Sequence, residues 1–291
     1  MPVTTVPTQF AGLTRRGFVL TLAGAAALRA QDAADHWALL SDTHIPSDPA
    51  NGHRGFRPGD NLAKVVPQVV AAKPDAALVC GDIARLTGEP GDYQAFESLM
   101  KPVMDLSPVS MALGNHDHRK NFLDALGKSQ KNTQTVPQKH VLAVEGRAVR
   151  VVVLDSLIQP NLTPGLLGKN QRAWLENYLG DARPMPTLIC VHHTLDDNDG
   201  SLLDAPRLFE IVRPHRHVKA IVFGHSHRYS FEQTDGIHLI NLPAVGYNFN
   251  DNQPVGWVDA RFTSKGGAFT LRAVGGDASG DGKTTELNWR A

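Results

Sequence analysis

The chain has 291 residues, of which 42% are hydrophobic and 20% are charged, so its length suits one large α/β domain or two small ones. Lys and Arg together number 29, as do Asp and Glu, and the formal net charge is zero. This balance gives no electrostatic reason for capture of nucleic acid. We therefore expect no nucleic-acid partner.

The N-terminus has the order of an export signal. A twin-arginine stretch at residues 14–20 leads into an uncharged run at 18–28, and Ala30 offers a cleavage point. The run is too short to cross a bilayer of about 30 Å as a helix, so we expect no stable membrane insertion. We predict a twin-arginine-type signal peptide over residues 1–30, recognition by the twin-arginine export machinery, and a periplasmic or secreted protein. The alternative is a disordered tail with a chance Arg-Arg pair.

Short apolar runs then alternate with longer amphipathic stretches, which is typical of an α/β domain. Strands are predicted at 36–41, 75–80, 109–113, 140–144, 149–155, 187–191, 220–223, 229–233, 237–240, 256–262 and 268–274. Helices are predicted at 59–72, 92–100, 119–126, 171–179 and 205–212. We predict one domain over residues 31–275 with two facing groups of strands, followed by a loose polar tail over residues 276–291.

Polar motifs follow five of the predicted strands directly. They are Ser41-Asp42-Thr43-His44, Gly81-Asp82, Gly114-Asn115-His116-Asp117, Val191-His192-His193 and Gly224-His225-Ser226-His227. Carboxylate, amide and imidazole groups together are the ligand mix for two adjacent divalent ions, and such a pair clamps a phosphoryl group. Mixed oxygen and nitrogen ligands admit Fe, Mn, Zn, Co or Ni. The motifs therefore predict a site for two divalent metal ions and hydrolysis of phosphate esters.

Spacing within the motifs suggests which side chains share one side of the chain and, for Asp42 and His44, that both can reach one ion. Asp42 and His44 are two residues apart, as are His225 and His227, and strand residues with that spacing point to the same side. Asp82 can use both carboxylate oxygens and is the natural bridge between two ions. The alternative for Asp82 alone is a turn residue or a helix N-cap.

The remaining polar residues have more specific predicted roles. Asn115 offers a neutral carbonyl oxygen to a metal, and His116 is placed to donate a proton to the departing oxygen. We expect Asp117 to hold the His116 ring by a hydrogen bond. Adjacent strand residues face opposite sides, so His192 is taken as a ligand, whereas His193 either supports another ligand or faces the substrate.

The two cysteines, Cys80 and Cys190, each lie two residues before a metal motif residue. They are predicted to be buried thiols that pack as small hydrophobic side chains. A disulfide between them is the alternative in an oxidising compartment, and the sequence does not show whether they are close enough.

The ordered set of motifs resembles that of the calcineurin-like metallophosphoesterases over roughly Trp37 to Tyr247. The resemblance implies a four-layer α-β-β-α sandwich of two facing mixed sheets. It also implies the following ligands: one ion would take Asp42, His44, Asp82 and His227, and the other Asp82, Asn115, His192 and His225, with His116 as the proton donor. The similarity is greatest to the bacterial class III cyclic-nucleotide and glycerophosphodiester phosphodiesterases, on the evidence of Gly81-Asp82-Ile83-Ala84 and the double histidine.

Two departures from family patterns concern the substrate side of the site. The double histidine is followed by Thr194-Leu195-Asp196-Asp197 instead of two prolines, which alters the local loop. Purple acid phosphatases have a tyrosine ligand where this chain has Arg85, so an iron(III) tyrosinate site is not expected. Arg85 and His193 are instead candidate substrate-binding residues.

The resemblance implies in-line attack of a metal-bound hydroxide on a phosphate ester, most simply a diester, with His116 as general acid. A phosphomonoesterase or pyrophosphatase with the same metal cluster is one alternative. A non-catalytic metal-binding scaffold is the other. For the hydrolases the expected partner is a small phosphate-ester substrate.

Overall fold

A computed structural model describes residues 33–291, so the predicted signal over residues 1–30 lies outside the described part. The strands are β1 (Ala34–Leu40), β2 (Ala76–Cys80), β3 (Val109–Ala112), β4 (Thr133–Gln134), β5 (Val141–Glu145), β6 (Arg150–Val153), β7 (Thr187–Cys190), β8 (Val218–Phe223), β9 (Ser230–Thr234), β10 (Ile237–Asn241), β11 (Pro254–Thr263), β12 (Gly266–Gly276) and β13 (Thr284–Asn288). The helices are α1 (Pro58–Ala72), α2 (Pro90–Leu106), α3 (Arg119–Leu126), α4 (Lys169–Asp181) and α5 (Ala205–Val212). Within residues 33–291, no helix has the length and apolar character needed to cross a bilayer.

The strands form two mixed sheets. The first sheet has the order β13-β12-β11-β1-β2-β3, and the second has the order β4-β5-β6-β7-β8-β10-β9. The parallel strands are β1, β2 and β3 on one side of the first sheet, with β3 at its edge, and β6, β7, β8 and β10 in the second sheet. The parallel strands of each sheet therefore end at one common edge, which is where polar residues can converge.

Three apolar layers hold four structural layers together. Alternate residues of β1 point to opposite faces, so Trp37 and Leu39 pack between the two sheets, whereas Ala38 and Leu40 pack under α1, α2 and α3. The outer face of the second sheet packs against α4 and α5. The four-layer α-β-β-α arrangement implied by the resemblance is confirmed.

The C-terminal segment differs from its prediction. The expectation of a loose tail over residues 276–291 is wrong, because β13 pairs antiparallel with β12 and extends the first sheet by one strand. Leu287 and Trp289 pack against the core between the sheets, and Nε1 of Trp289 donates a hydrogen bond of 3.0 Å to the carbonyl of Thr263. Leu287 is the only apolar residue within β13, and Trp289 lies just beyond its end, so the sequence has little hydrophobic pattern to mark this short edge strand.

Candidate metal centre

The five polar motifs meet at the edge where the parallel strands end. The first sheet brings Asp42 and His44 after β1, Asp82 after β2, and Asn115 and His116 after β3. The second sheet brings His192 after β7, and His225 and His227 after β8. The predicted ligands are thus divided between two sheets that face each other.

Backbone conformation at these positions is unusual. Five of the predicted ligands have a positive φ, namely Asp42 (51°), His44 (48°), Asp82 (49°), His225 (68°) and His227 (52°). Residues other than glycine rarely adopt this conformation, and it concentrates at functional sites. Asp42 and His44 converge on one group of ligand atoms, whereas His225 and His227 belong to two different groups. The strand-alternation reason is wrong for both pairs, because these residues lie beyond the strand ends.

One group of ligand atoms comes from Asp42, His44 and His227, and these atoms all lie within 4.8 Å of one another. Nε2 of His44 lies 3.0 Å from Nε2 of His227, and the latter lies 3.4 Å from Oδ1 of Asp42. Two imidazole nitrogens bound to one ion at about 2.0–2.1 Å lie roughly 3 Å apart. The three side chains therefore fit a shared divalent ion.

A second group comes from Asp82, His192 and His225, again within 4.8 Å. Oδ2 of Asp82 lies 3.3 Å from Nε2 of His192 and 3.7 Å from Nε2 of His44, so this oxygen stands between the two groups. Nε2 of His192 and Oδ1 of Asn115 are buried and have no hydrogen-bond partner. Buried polar atoms are normally paired, so this donor set fits a second ion adjacent to the first.

Backbone carbonyls fix the orientation of three imidazole rings. Nδ1 of His192 donates to the carbonyl of Cys80 at 2.7 Å, and Nδ1 of His227 donates to that of Tyr247 at 2.5 Å. Nδ1 of His44 lies 3.4 Å from the carbonyl of Arg85. A carbonyl can only accept, so the proton sits on Nδ1 and Nε2 remains available to a metal.

Electrostatics at the centre favour ionised carboxylates. Burial lowers the pKa of His44 to about 3 and that of His225 to about 4. Burial opposes ionisation of Asp82 as well, but His192 and its neighbouring imidazoles outweigh it and hold the pKa of Asp82 well below its usual range. Burial also acts to lower the pKa of His192, yet the Asp82 and Asp42 carboxylates raise it to about 10. Metal binding would therefore displace a proton from His192.

His116 and Asp117 do not form the predicted pair. Nδ1 of His116 donates to the carbonyl of Leu86 at 2.8 Å, so the prediction that Asp117 holds this ring is wrong. Asp117 is instead fully buried and accepts hydrogen bonds from the backbone N–H groups of Ile83, Ala84 and Gly114 and from the Tyr93 hydroxyl. Burial raises the pKa of Asp117 to about 6. Its carboxylate joins the turn after β2 to the turn after β3.

Two motif glycines make room for the ligands. A Cβ atom at Gly114 would collide with Oδ1 of Asp82 and would lie 2.7 Å from Nε2 of His192. A Cβ atom at Gly224 would collide with Oδ2 of Asp42. Any side chain at either position would thus occupy the space where ligand atoms converge.

An open cleft of about 510 Å³ lies against the metal-ligand side chains. His116, Arg228 and Phe249 line it beside the ligands. The Phe249 ring stacks on the His227 ring, with centroids 4.2 Å apart and an angle of 22° between the planes, and its side chain remains 49% exposed. Arg228 and Phe249 were missed at the sequence level. Only the position of Arg228, next to His227, could have drawn attention to it.

The two candidate substrate-binding residues lie elsewhere. Arg85 does not line the cleft; its guanidinium group lies 5.9 Å from the Tyr247 ring, and its Nε donates to Asn51. His193 is completely buried, with Nδ1 2.7 Å from the Ser156 hydroxyl and its ring 4.8 Å from that of His225. His193 is therefore behind a predicted ligand, as the alternative interpretation expected, and does not reach the cleft.

Two facing mixed sheets, with carboxylate and imidazole groups converging from both, define a class of dinuclear metal hydrolase. The calcineurin-like phosphoesterase family model matches residues 37–229, and the chain belongs to that family. The fold uses a dinuclear centre of divalent metal ions, and the enzyme is a metal-dependent hydrolase of phosphate esters.

Individual relatives agree with this assignment. The chain is 30% identical over 230 residues to a probable cyclic nucleotide phosphodiesterase of Synechococcus, covering 76% of this chain and 84% of that protein. It is 29% identical over 229 residues to a glycerophosphodiester phosphodiesterase of Enterobacter lignolyticus, covering 75% and 81%. Among solved structures, a dimetal phosphatase from Danio rerio superposes with a TM-score of 0.69 at 16% identity, covering 88% of this chain and 99% of that one, and shares the fold.

Proposed function

We propose that the protein is a phosphodiesterase that cleaves a small phosphate diester in the cleft beside the metal centre. The observation that carries this is the pair of ligand groups that meet at Oδ2 of Asp82, one built around His44 and the other around His192. Both sequence relatives described above are named as phosphodiesterases, which supports a diester over a monoester.

The ligand assignment follows the two groups. One ion is proposed to take Asp42, His44, Asp82 and His227, and the other Asp82, Asn115, His192 and His225. Two divalent ions in these positions would supply a nucleophile at neutral pH and neutralise charge on the phosphoryl oxygens. Asn115 contributes an oxygen without adding a negative charge that would repel the substrate.

His116 is the proposed proton donor to the leaving group. Its backbone N–H donates to Oδ1 of Asp82 at 2.7 Å, which ties the residue to the metal centre. Its Nδ1 is held by the Leu86 carbonyl, so Nε2 is the ring nitrogen free to act in the cleft. A protonated imidazole donating from Nε2 would return to neutrality with its Nδ1 hydrogen bond unchanged.

The cleft favours a diester that carries a flat apolar group. Phe249 presents an exposed ring beside a ligand, and aromatic rings pack well against other π-systems. Arg228 is exposed on the same cleft and provides a cation for a negatively charged substrate. A nucleotide diester fits this combination better than a glycerol diester does. A phosphomonoesterase or pyrophosphatase remains the second candidate with the same metal cluster.

The diester proposal is tested by comparing bis-p-nitrophenyl phosphate with p-nitrophenyl phosphate, using protein that begins near Gln31 and is loaded with Mn, Fe or Zn. We expect faster metal-dependent turnover of the diester and loss of activity with a chelator. Turnover of the monoester alone would replace the proposal with a phosphomonoesterase. No turnover of either, with two ions bound per chain, would support the non-catalytic scaffold.

The role of His116 is tested with His116→Ala and a set of diesters whose leaving groups differ in acidity. Loss of a general acid lowers turnover by about 10²–10⁴-fold, and we expect the larger loss with the less acidic alcohol. His215→Ala, at a histidine outside the cleft, is the matched control. An equal loss for all leaving groups, with metal content unchanged, would rule out proton donation by His116.

Export by the twin-arginine pathway is proposed on sequence grounds alone, from the Arg15-Arg16 pair and the apolar run that follows. It predicts a periplasmic or secreted enzyme. Replacing Arg15 and Arg16 together by Lys should retain the full-length protein in the cytoplasm of a bacterial host, as measured by cell fractionation. Continued export of the double variant would contradict this pathway.

A further inference from the structure

Two buried thiols face each other across the interface between the sheets. Cys80 is the last residue of β2 in the first sheet, and Cys190 is the last residue of β7 in the second. Both are 0% exposed, and their sulfur atoms are 3.3 Å apart. They are 110 positions apart in the chain, so the fold alone brings them together.

The pair lies directly below the metal centre. Cys80 precedes Asp82 by two residues and Cys190 precedes His192 by two, and the side chains of Asp82 and His192 approach to 3.3 Å. The carbonyl of Cys80 also accepts the hydrogen bonds from Nδ1 of His192 and from the Ser41 hydroxyl. The position of the Cys80 backbone therefore bears directly on how a ligand from the opposite sheet is oriented.

We propose that Cys80 and Cys190 form a disulfide that joins the two sheets when the chain folds under oxidising conditions. A disulfide has an S–S distance of about 2.0 Å, so the sulfurs need to approach by a little more than about 1 Å. With a disulfide such as oxidised glutathione as the oxidant, the protein S–S bond forms as the glutathione S–S bond breaks. The two thiol hydrogens pass to two molecules of reduced glutathione.

Because both cysteines are buried, the disulfide has to form before the two sheets pack together. The sulfur atoms are inaccessible once the sheets have packed, so exchange with an external disulfide has to occur before the interface closes. A chain that folds under reducing conditions should consequently keep both thiols even when it later meets an oxidant. Whether Cys80 and Cys190 are thiols or a disulfide would therefore depend on the conditions under which the chain folded. The disulfide would link the two sheets that carry the metal ligands.

The test uses protein that begins near Gln31, unfolded and reduced, then refolded either with a glutathione redox buffer or with excess dithiothreitol. Thiols are counted by alkylation after renewed unfolding, and the linked peptides are identified by mass spectrometry. A third sample is folded under reducing conditions and only then exposed to the glutathione buffer. Cys190→Ala is the matched control, since it keeps Cys80 but cannot form the bond.

We expect the oxidatively refolded protein to have no free thiols and no disulfide between chains, and the third sample to keep two thiols. Closing a loop of this length should raise Tm by about 5–10 °C over the reduced protein, with no such difference in Cys190→Ala. Two reactive thiols after oxidative refolding would overturn the proposal, as would a disulfide that leaves Tm unchanged. Because wild-type protein is compared with itself, the outcome does not depend on the stability of a variant, nor on which ester the enzyme cleaves.

Discussion

Asp82 and Asp155 are both buried just beyond the ends of interior strands, with side chains 2% and 0% exposed. They differ in how many hydrogen-bond donors surround the carboxylate. The Asp155 carboxylate accepts two N–H groups of Arg119, at 2.6 and 2.9 Å, and the backbone N–H groups of His140 and Leu157. The Asp82 carboxylate receives one backbone hydrogen bond, from His116, and otherwise faces imidazole nitrogens.

This difference distinguishes Asp155, a structural carboxylate, from Asp82, a carboxylate suited to binding a metal ion. Around Asp155 the carboxylate is surrounded by donors, which is how a buried charge contributes to a unique packed state. Around Asp82, Oδ1 of Asn115 and Nε2 of His192 have no hydrogen-bond partner, and Nε2 of His192 becomes an acceptor when metal binding displaces its proton. An excess of buried acceptors over donors is satisfied by a cation, and this imbalance identifies the metal centre without any reference to the motif.

Asp82→Asn should have the largest effect on activity, because it removes the one oxygen that stands between the two ligand groups. We expect turnover to fall by at least about 10²–10³-fold, the range seen when one element of transition-state stabilisation is lost. Bound metal, measured by elemental analysis, should fall from two ions to one or none. Wild-type turnover with two ions bound would contradict the bridging role.

Asp155→Asn tests the other side of the comparison. Breaking a buried, hydrogen-bonded ion pair should lower the free energy of unfolding by about 3 kcal/mol, whereas turnover per folded molecule should stay near that of the wild type. Urea unfolding of the metal-free protein measures the first quantity and steady-state kinetics the second. Unchanged stability would show that Arg119 and Asp155 are not coupled as the geometry indicates.

Phe249→Leu should have a smaller effect, confined to substrate binding. Loss of ring stacking is worth about 0.5–1.5 kcal/mol, so KM for an aromatic diester should rise by about 2–10-fold with little change in kcat. Phe249→Tyr keeps the ring and serves as the control. An equal rise in KM for a glycerol diester would remove the case for a flat group at this position.

The smallest expected effect is on pH dependence and involves His140, next to Asp155. Burial lowers the pKa of His140 below its ordinary value of 6.5. As the pH falls, His140 is therefore protonated at a higher pH in the unfolded chain than in the folded one. Protonation of the unfolded chain lowers the free energy of unfolding, so stability is highest above about pH 6.5 and decreases below it. His140→Gln should flatten unfolding free energy against pH in that range. An unchanged slope would exclude His140 as its source.

Much of the fold and of the convergence at the centre could be predicted from the chain. The helix at Ala205–Val212 and the strand ends before Asp82 and His192 follow from apolar periodicity, because local patterning determines where an element starts and stops. The edge strand at Thr284–Asn288 could not, since its pairing with β12 depends on a neighbour in the sheet and its own sequence is mostly polar.

Long-range contacts explain the errors at the site. Asp117 follows His116 in the chain, and adjacency suggested that it supports the ring, but its carboxylate is taken up by backbone N–H groups of a different turn. Phe249 lies beyond β10 and reaches the cleft only because that segment folds back over His227. Neither contact leaves a pattern in the sequence.

The division of the ligands between two sheets links metal binding to folding. Neither sheet alone holds a complete set, so an ion binds strongly only to the closed, native arrangement and shifts the folding equilibrium by mass action. Free metal at 100 times its dissociation constant would add about 2.7 kcal/mol to the stability of the native state. The melting temperature of this enzyme is thus expected to report the concentration of available metal, and depletion of the ion would loosen the interface between the sheets as well as stop catalysis.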